Sequence, residues 1–442
     1  MKIQLPASVN YILDLLHSAD YEAYAVGGCI RDSILGREPN DWDITTSARP
    51  EEVKKIFRRT VDTGIQHGTV TVLVGDHAHE VTTYRVDGEY KDGRHPESVA
   101  FTASLAEDLK RRDFTINAMA YNEEDGLVDL YGGMEDIQKG VIRCVGDPEE
   151  RFTEDALRIL RAMRFAAQLD FKIDRLTVNA VIKLAGNLEK ISAERICTEL
   201  IKLITSGHPE YLKGAYEAGI TRIILPEFDR MMETPQHNPH HCYNVGDHTI
   251  AAMQNVPAEK ILRLTMLLHD IGKPLVRTTD ERGIDHFKTH AEAGSKLAEK
   301  ILRRLKLDND TIDDVKTLIL YHDWRVPAQK KAVRRALNKI GERLFPSFLL
   351  VQRADALAQS DYQRQEKLER IEKVKSLAEE ILEEKECFSL KDLAVTGRDL
   401  IEWGIPKGPE IGRLLHVALD AVIDEPSVNT KEWLKKIILA NR

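Results

Sequence analysis

The sequence predicts an α+β protein: a small mixed sheet with helices over residues 1–146, followed by a body made of helices alone. Two changes of period carry this expectation. Polar and apolar residues alternate in Asp41-Trp-Asp-Ile-Thr and in Thr69-Val-Thr-Val-Leu-Val, the period of half-buried strands. The second run closes at Gly75-Asp76 before a further strand from Glu80 to Arg85, which makes a hairpin. After Pro148 the apolar spacing turns helical and stays so to the end. With 442 residues the chain exceeds one ordinary core, so about two to four domains are expected.

Composition narrows the function classes. At 42% hydrophobic and 31% charged residues the chain reads as globular, and runs such as Leu264 to Leu268 are too short to span a bilayer. Residues Met1 to Pro6 lack the pattern of a signal peptide. Cys29, Cys144, Cys197, Cys242 and Cys387 are scattered and form no CxxC pair, which disfavours a disulfide framework or a thiolate metal site and suits a reducing cytoplasm. A net charge of −9 means that any RNA-binding surface is local. The candidates are Lys54, Lys55, Arg58 and Arg59; Lys110 to Arg112; Lys330, Lys331, Arg334 and Arg335; and Lys435 with Lys436.

Asp41 and Asp43, two apart on a predicted strand, project to one face. Paired carboxylates on a rigid strand suit Mg2+, which takes oxygen ligands and leaves sites for substrate phosphates. Upstream, Val26-Gly-Gly-Cys-Ile-Arg-Asp32 offers glycines that let backbone approach a triphosphate, Gly28 among them, and Arg31 to neutralise it. Gly27-Gly28, Arg31-Asp32, Leu35-Gly36 and Asp41-x-Asp43 together resemble the signature of the polymerase-beta-like nucleotidyltransferases, in the class that contains CCA-adding enzymes and bacterial poly(A) polymerases.

The resemblance continues in order. Arg111-Arg-Asp-Phe-Thr-Ile-Asn-Ala-Met-Ala120 is similar to the family's second motif, and implies that Arg112 and Asp113 hold the sugar and phosphates of the incoming nucleotide. Asp129 to Asp136 resembles the connector between head and neck, Arg151 to Phe165 the base-reading motif, and Ser192 to Glu199 the helix after it. Read without the family, Ala156, Ile159, Leu160, Met163 and Ala167 form an apolar stripe, with Asp155, Arg158, Arg161 and Arg164 on the opposite half. Three arginines with one acid over-supply positive charge, which a triphosphate or RNA phosphate would balance. By resemblance, Asp155 and Arg158 face the base while Arg161 and Arg164 serve the phosphates.

A second constellation follows: His248, then His269-Asp270 closing the apolar run Leu262 to Leu268, then His290, His322 and Asp355. His-Asp before Ile271-Gly-Lys-Pro resembles the HD phosphohydrolases, which implies a second divalent metal held by imidazole and carboxylate. His237, His240 and His241 read as structural or surface residues. The run Asp361 to Glu386 predicts a long surface helix, and Leu390 to Arg442 resembles the tRNA-contacting tail of these enzymes.

The expected division is therefore a head at 1–146, a neck at 147–235, an HD domain at 236–360 and a tail at 361–442. The expected activity is addition of C, C and A to tRNA from CTP and ATP with Mg2+. The alternatives are A addition alone, poly(A) synthesis, or an HD phosphohydrolase with an RNA-binding head. The glycine-rich segment Val86 to Pro96, with Asp92 and Arg94 as levers for the change from C to A, is complete; CC-adding relatives are expected to lack it.

Overall fold

The computed structural model describes residues 1–87 and 99–442, so most of the expected Val86–Pro96 lever lies outside the described residues. The chain divides into two compact units, Met1–Pro226 and Glu227–Arg442.

In the first unit the strands are β1 (Ala23–Val26), β2 (Ile44–Thr46), β3 (Thr60–Gly64), β4 (Thr69–Val74), β5 (His77–Thr83), β6 (Arg85–Asp87), β7 (Val99–Phe101), β8 (Met119–Asn122) and β9 (Gly126–Asp129). Seven form one sheet in the order β3-β4-β5-β2-β1-β8-β9, antiparallel except for β2 beside β5; β6 and β7 pair separately. The β4–β5 hairpin turns at Gly75-Asp76 as expected, because β-branched residues on either side pack Val70, Val72 and Val81 into the core. The predicted strand Glu80–Arg85 instead begins at His77 and ends at Thr83.

The strand carrying the two aspartates is likewise shorter than expected, since β2 starts at Ile44. Asp41 and Asp43 precede it, yet the alternation holds: both are exposed, Trp42 is half-buried and Ile44 is buried. Because β1 and β2 run antiparallel, with Ala25 opposite Ile44, the end of β1 meets the start of β2. The Val26 N–H donates to the Asp43 carbonyl at 2.9 Å. Sheet register thus brings the Gly27-Gly28 turn and the carboxylates together.

Helical periodicity after Pro148 hid one short strand: β11 (Lys172–Ile173), in the expected neck, pairs in parallel with β10 (Val141–Ile142), in the expected head. The helix Pro148–Glu154 starts with Asp147 capping the N–H groups of Glu149 and Glu150 and with proline in its first turn. It breaks at Asp155, which is extended, and a new helix Leu157–Leu169 runs on to a left-handed Asp170. That helix packs against Ala193–Ile204.

The second unit is helical apart from β12 (Thr278–Thr279) and β13 (Asp285–His286). The helices Lys330–Ile340, Phe345–Ala358 and Arg364–Glu383 share one apolar core, and the last is the expected surface helix, amphipathic with Ile371, Val374, Ala378 and Ile381 inward. The tail closes a separate core around Leu400, Leu414, Val422, Leu434 and Ile438. Within the motif Ile271-Gly-Lys-Pro, Gly272 lies against the start of the helix His290–Arg304. A Cβ there would overlap the His290 carbonyl oxygen and the Gly294 nitrogen. Gly272→Ala is therefore expected to cost about 2–3 kcal/mol by overpacking, read as a lowered thermal midpoint of Glu227–Arg442; an unchanged midpoint would show that the two segments part freely.

Candidate functional site

A cavity of about 670 Å³ opens in the first unit between the Gly27-Gly28 turn, Asp41, Asp43, Arg112 and the Leu157–Leu169 helix. Gly27 has φ +87°, and a Cβ there would lie 2.9 Å from Arg112 Nη1, so glycine serves both the turn and the seating of that arginine. Gly28 opens the helix Gly28–Ile34, which carries Arg31 into the cavity wall. Desolvation by the surrounding walls pushes the Asp43 carboxyl above the usual carboxylate range, Arg112 opposes the shift and the neighbouring Asp41 adds to it. Two oxygen-donor side chains whose charges disfavour one another suit a divalent cation.

The arginines expected to carry surplus charge are partnered, and by acids from outside their helix. Arg161 Nη2 lies 2.6 Å from Asp113 Oδ2, Arg164 Nε lies 3.0 Å from Glu199 Oε2, and Arg158 Nη1 donates to Glu154 Oε2 at 2.6 Å. The expectation of uncompensated charge is thereby corrected. Arg158 and Arg164 are also buried, so no polar half of the helix faces solvent. Asp155 stands in the break before the helix; its carboxylate accepts from the Leu157 N–H at 3.1 Å and from Arg195 Nη2 at 2.7 Å.

Burial opposes ionisation of Asp113, yet Arg161 holds its carboxyl down at about 2. Burial and Arg161 together lower the Arg164 guanidinium to about 10, with Glu199 opposing. Arg31 donates to Asn117 Oδ1 at 2.7 Å and pairs with Asp32. Lys202 lines the same cavity and, among the described residues, forms no ion pair.

A smaller cavity of about 270 Å³ shares Arg112, Asp113 and Arg161 with the first and adds Asp155, Leu157, Arg158, Arg111 and Arg195. The two expected base readers therefore line one pocket beside the carboxylates. Sequence reasoning did not single out Arg195 or Glu199; they are spaced i,i+4 on the helix Ala193–Ile204, and Glu199 is buried among its apolar residues. Of the basic patches, Lys330 pairs with Glu380, Glu384 and Glu386, Arg334 with Glu386, and Lys331 and Arg335 with Asp424, so each cation of that cluster has an acidic partner.

In the second unit all the expected residues meet. His248 lies on the helix Val245–Gln254, His269 and Asp270 follow Lys260–Leu268, His290 opens His290–Arg304, His322 follows Asn309–Tyr321 and Asp355 lies on Phe345–Ala358. Each imidazole turns Nδ1 to a backbone carbonyl: His248 to Ala358 at 3.3 Å, His269 to Met266 at 2.7 Å, His290 to Phe287 at 2.8 Å and His322 to Ile319 at 2.7 Å. A carbonyl only accepts, so Nδ1 carries the proton and Nε2 is left as the ligand atom.

These Nε2 atoms converge. His248 and His269 face each other at 3.4 Å, and His290 and His322 at 3.1 Å. Asp270 stands between the pairs: Oδ2 is 3.5 Å from His248 and 3.3 Å from His269, and Oδ1 is 3.6 Å from His290 and 3.7 Å from His322. The sets His248, His269, Asp270 and Asp270, His290, His322 each have ligand atoms within 4.8 Å of one another. Asp355 Oδ1 is 2.9 Å from His248 Nε2.

Opposed lone pairs around a buried carboxylate call for positive charge, and Asp270 and Asp355 push the His269 pKa up to about 10 against its burial. Asp270 Oδ2 is buried and has no aligned hydrogen-bond donor among the described residues, although Lys273 Nζ lies 2.7 Å away. The donor set fits divalent metal. Lys273, His240 and His241 line the adjoining cavity of about 480 Å³.

Glu199 is 5% exposed and holds Arg164, which is 6% exposed. Glu199→Gln keeps the shape and removes the charge, and is expected to destabilise Met1–Pro226 by about 3 kcal/mol in denaturant titration. A loss below about 0.5 kcal/mol, the range of surface substitutions, would show that the pair carries no such weight.

The chain matches the Poly A polymerase head domain over residues 23–143, the RNA and SrmB-binding site of polymerase A over 170–232 and tRNA nucleotidyltransferase domain 2 over 277–438. It is 37% identical over 406 residues to the CCA-adding enzyme of Levilactobacillus brevis, covering 91% of this chain and 90% of that one. With the CCA-adding enzyme of Lactiplantibacillus plantarum it shares 35% over 440 residues, covering 98% and 96%. Its fold is similar to the crystal structure of the Bacillus stearothermophilus CCA-adding enzyme in complex with CTP, with a TM-score of 0.72, 30% identity and coverage of 98% and 96%. On that likeness over nearly its whole length, this chain belongs to the family of the CCA-adding enzymes.

Proposed function

We propose that the first unit adds C, C and A, taken from CTP and ATP, to the 3′ end of tRNA without a nucleic-acid template and releases diphosphate. The observation that carries the reading is the single cavity in which Asp41 and Asp43 face Arg112, Arg161, Arg164 and Lys202. The carboxylates would hold Mg2+, which when bound supplies charge neutralisation at the triphosphate and activation of the attacking hydroxyl. The protein's own groups do the positioning. The Gly27-Gly28 turn admits the phosphates, and Arg31, Arg112, Arg161 and Arg164 balance their charge. Asp113 acts through Arg161, which it fixes in place.

Asp155 and Arg158 read the base. Cytosine and adenine both present an amino donor beside a ring-nitrogen acceptor, which a carboxylate and a guanidinium match; uracil and guanine invert that order. Arg195 orients the Asp155 carboxylate through two hydrogen bonds, so the acceptor is preset before a nucleotide arrives. The tail, 361–442, would contact the tRNA, with 1–146 as the catalytic head and 147–235 as the neck.

Asp41→Ala and Asp43→Ala are each expected to abolish addition with the fold retained; activity above a few per cent in either would remove it from the metal-holding role. Incubation with tRNAs ending before CCA or after CC, offered CTP, ATP or both, tests the reaction itself. Addition of AMP alone, only to the CC-ended tRNA, would leave an A-adding enzyme. Arg158→Ala should lower CTP and ATP use and relax rejection of UTP by about tenfold or more, since two contacts worth about 1–3 kcal/mol each carry it. Arg164→Ala should weaken all four nucleotides alike. An unchanged preference in Arg158→Ala would place base selection elsewhere.

A second reading concerns the unit Glu227–Arg442. We infer that 236–360 is an HD-type domain in which His248, His269, Asp270, His290, His322 and Asp355 hold divalent metal, with Asp270 shared by the two sets, and that it hydrolyses phosphoesters. Imidazole and carboxylate without thiolate suit Mn, Fe, Ni, Zn or Mg. Metal analysis of the purified protein and hydrolysis of cyclic and terminal phosphates should both be positive. Both should be lost in His269→Ala and Asp270→Ala while nucleotide addition continues. A protein that binds no metal there and hydrolyses neither class would leave the cluster a structural one.

A further inference from the structure

Arg195, Glu199, Lys202 and Ser206 recur at spacings of four, three and four residues along the helix Ala193–Ile204 and just past its end, which places them on one face. Each meets a different part of the first unit's site. Arg195 lines the smaller cavity and holds Asp155. Glu199 pairs with Arg164 and stands 4.0 Å from Arg161. Lys202 and Ser206 line the larger cavity and not the smaller. At about 1.5 Å of rise per residue, Lys202 stands about 10 Å beyond Arg195 along the axis. The helix Leu157–Leu169 repeats the order: Arg158 lines the smaller cavity, Arg161 both, and Arg164 and Gln168 the larger alone. A nucleotide whose base meets Asp155 and Arg158 therefore directs its phosphates past Arg161 into the larger cavity. Its terminal phosphate, furthest from the base, reaches the Lys202 end.

The positive charge at that end is uncommitted. Five acids line the larger cavity: Asp32, Glu38, Asp41, Asp43 and Asp113. Asp32 pairs with Arg31 and Asp113 with Arg161, while Asp41 and Asp43 are the carboxylates assigned to Mg2+. Among the described residues neither Glu38 nor any other carboxylate comes within ion-pair distance of Lys202 or of Arg37, which also lines the cavity. Arg37 Nη1 donates to the Gln168 carbonyl at 3.1 Å, which puts that guanidinium at the same end of the Leu157–Leu169 helix. Cations with no acid of their own gain most when a multiply charged anion enters.

Nucleotide addition creates such an anion. As the tRNA 3′ oxygen bonds to the α-phosphorus, the bond from that phosphorus to the oxygen bridging the β-phosphate breaks. Its electron pair leaves with the diphosphate, and the hydroxyl proton passes to solvent. Charge thus accumulates on the diphosphate as it departs, where a fixed ammonium stabilises it. We propose, resting on the nucleotidyl-transfer reading of this unit, that Lys202 takes the terminal phosphate of the incoming triphosphate and holds the diphosphate as it leaves, with Arg37 as the second unpaired cation of that end.

The test uses the full chain with Mg2+, a tRNA ending before CCA, CTP and ATP, and either inorganic diphosphate or CMP as inhibitor. Lys202→Gln, at an exposed position, should raise the inhibition constant of diphosphate and KM for CTP and ATP by about tenfold each, the worth of one charge-assisted contact. The inhibition constant of CMP, KM for tRNA and the rejection of UTP should stay as they are, because CMP lacks the terminal phosphates and the base is read at the other end. Lys202→Arg, which keeps the charge, should bring diphosphate inhibition back towards the unaltered value. Unchanged diphosphate inhibition in Lys202→Gln overturns the inference while nucleotide addition stands. So does an equal weakening of diphosphate and CMP, or an equal loss in Lys202→Gln and Lys202→Arg, since either reports shape and not charge. A raised KM for tRNA with diphosphate inhibition unchanged also overturns it, and seats an RNA phosphate at Lys202. An unaltered chain that adds neither nucleotide overturns the inference and the nucleotidyl-transfer reading together.

Discussion

The Asp113 carboxylate is the point on which the first unit's cavity depends. It is buried, so it must be ionised against desolvation or protonated, and four donors decide the matter: Arg161 Nε at 2.7 Å and Nη2 at 2.6 Å, the Phe114 N–H at 2.8 Å and Asn117 Nδ2 at 3.2 Å. Asn117 in turn accepts from Arg31 at 2.7 Å, and Arg161 reaches Glu199, which holds Arg164. Strand-entry residues, the glycine turn and two helices are thereby joined through alternating charges. Removing one member leaves its neighbour buried and unpaired, which is why such a network holds one geometry more firmly than apolar packing would.

Phe165 lies within this network. The guanidinium carbons of Arg164, Arg31 and Arg161 lie 3.9, 5.1 and 5.3 Å from its ring centroid, and Phe114 meets it edge-on at 5.8 Å. An aromatic face draws cations without neutralising them. The ring therefore fixes where the arginines stand, while Asp32, Asp113 and Glu199 pair with their charges.

Much of this was legible in local pattern. The two aspartates were found by alternation, which survived even though β2 begins only at Ile44, because the pairing of Val26 with Asp43 extends the strand geometry past its formal end. The histidines and aspartates of the second cluster were found by order along the chain, and folding brings every one together. What pattern could not supply was pairing across distance. The three arginines looked uncompensated because Glu199 and Asp113 lie far from them in sequence, and even Glu154, only four residues before Arg158, sits on the far side of a helix break. That break was hidden because Asp155 fits a helical stripe by spacing while its side chain caps the following helix instead. That His240 and His241 line a cavity was hidden for the same reason: a cavity wall is built by elements from several parts of the chain, and no local period records it.

The two units meet the same electrostatic problem by opposite means. In the first, buried carboxylates are paired with guanidinium groups of the chain itself, although Arg164 Nε and Glu199 Oε2 stand at ion-pair distance without an aligned hydrogen bond, and Asp41 and Asp43 face the open cavity. In the second, Asp270 and Asp355 are ringed by imidazoles whose Nδ1 atoms are already committed to carbonyls, so the protein offers lone pairs where it would need protons. Such a ring is neutral only if the histidines charge or a cation enters, and Lys273 alone does not supply aligned donors to Asp270. A divalent cation there would complete the folded electrostatics. The second unit should accordingly be more sensitive to chelation in its stability than the first, whose buried pairs close without an ion.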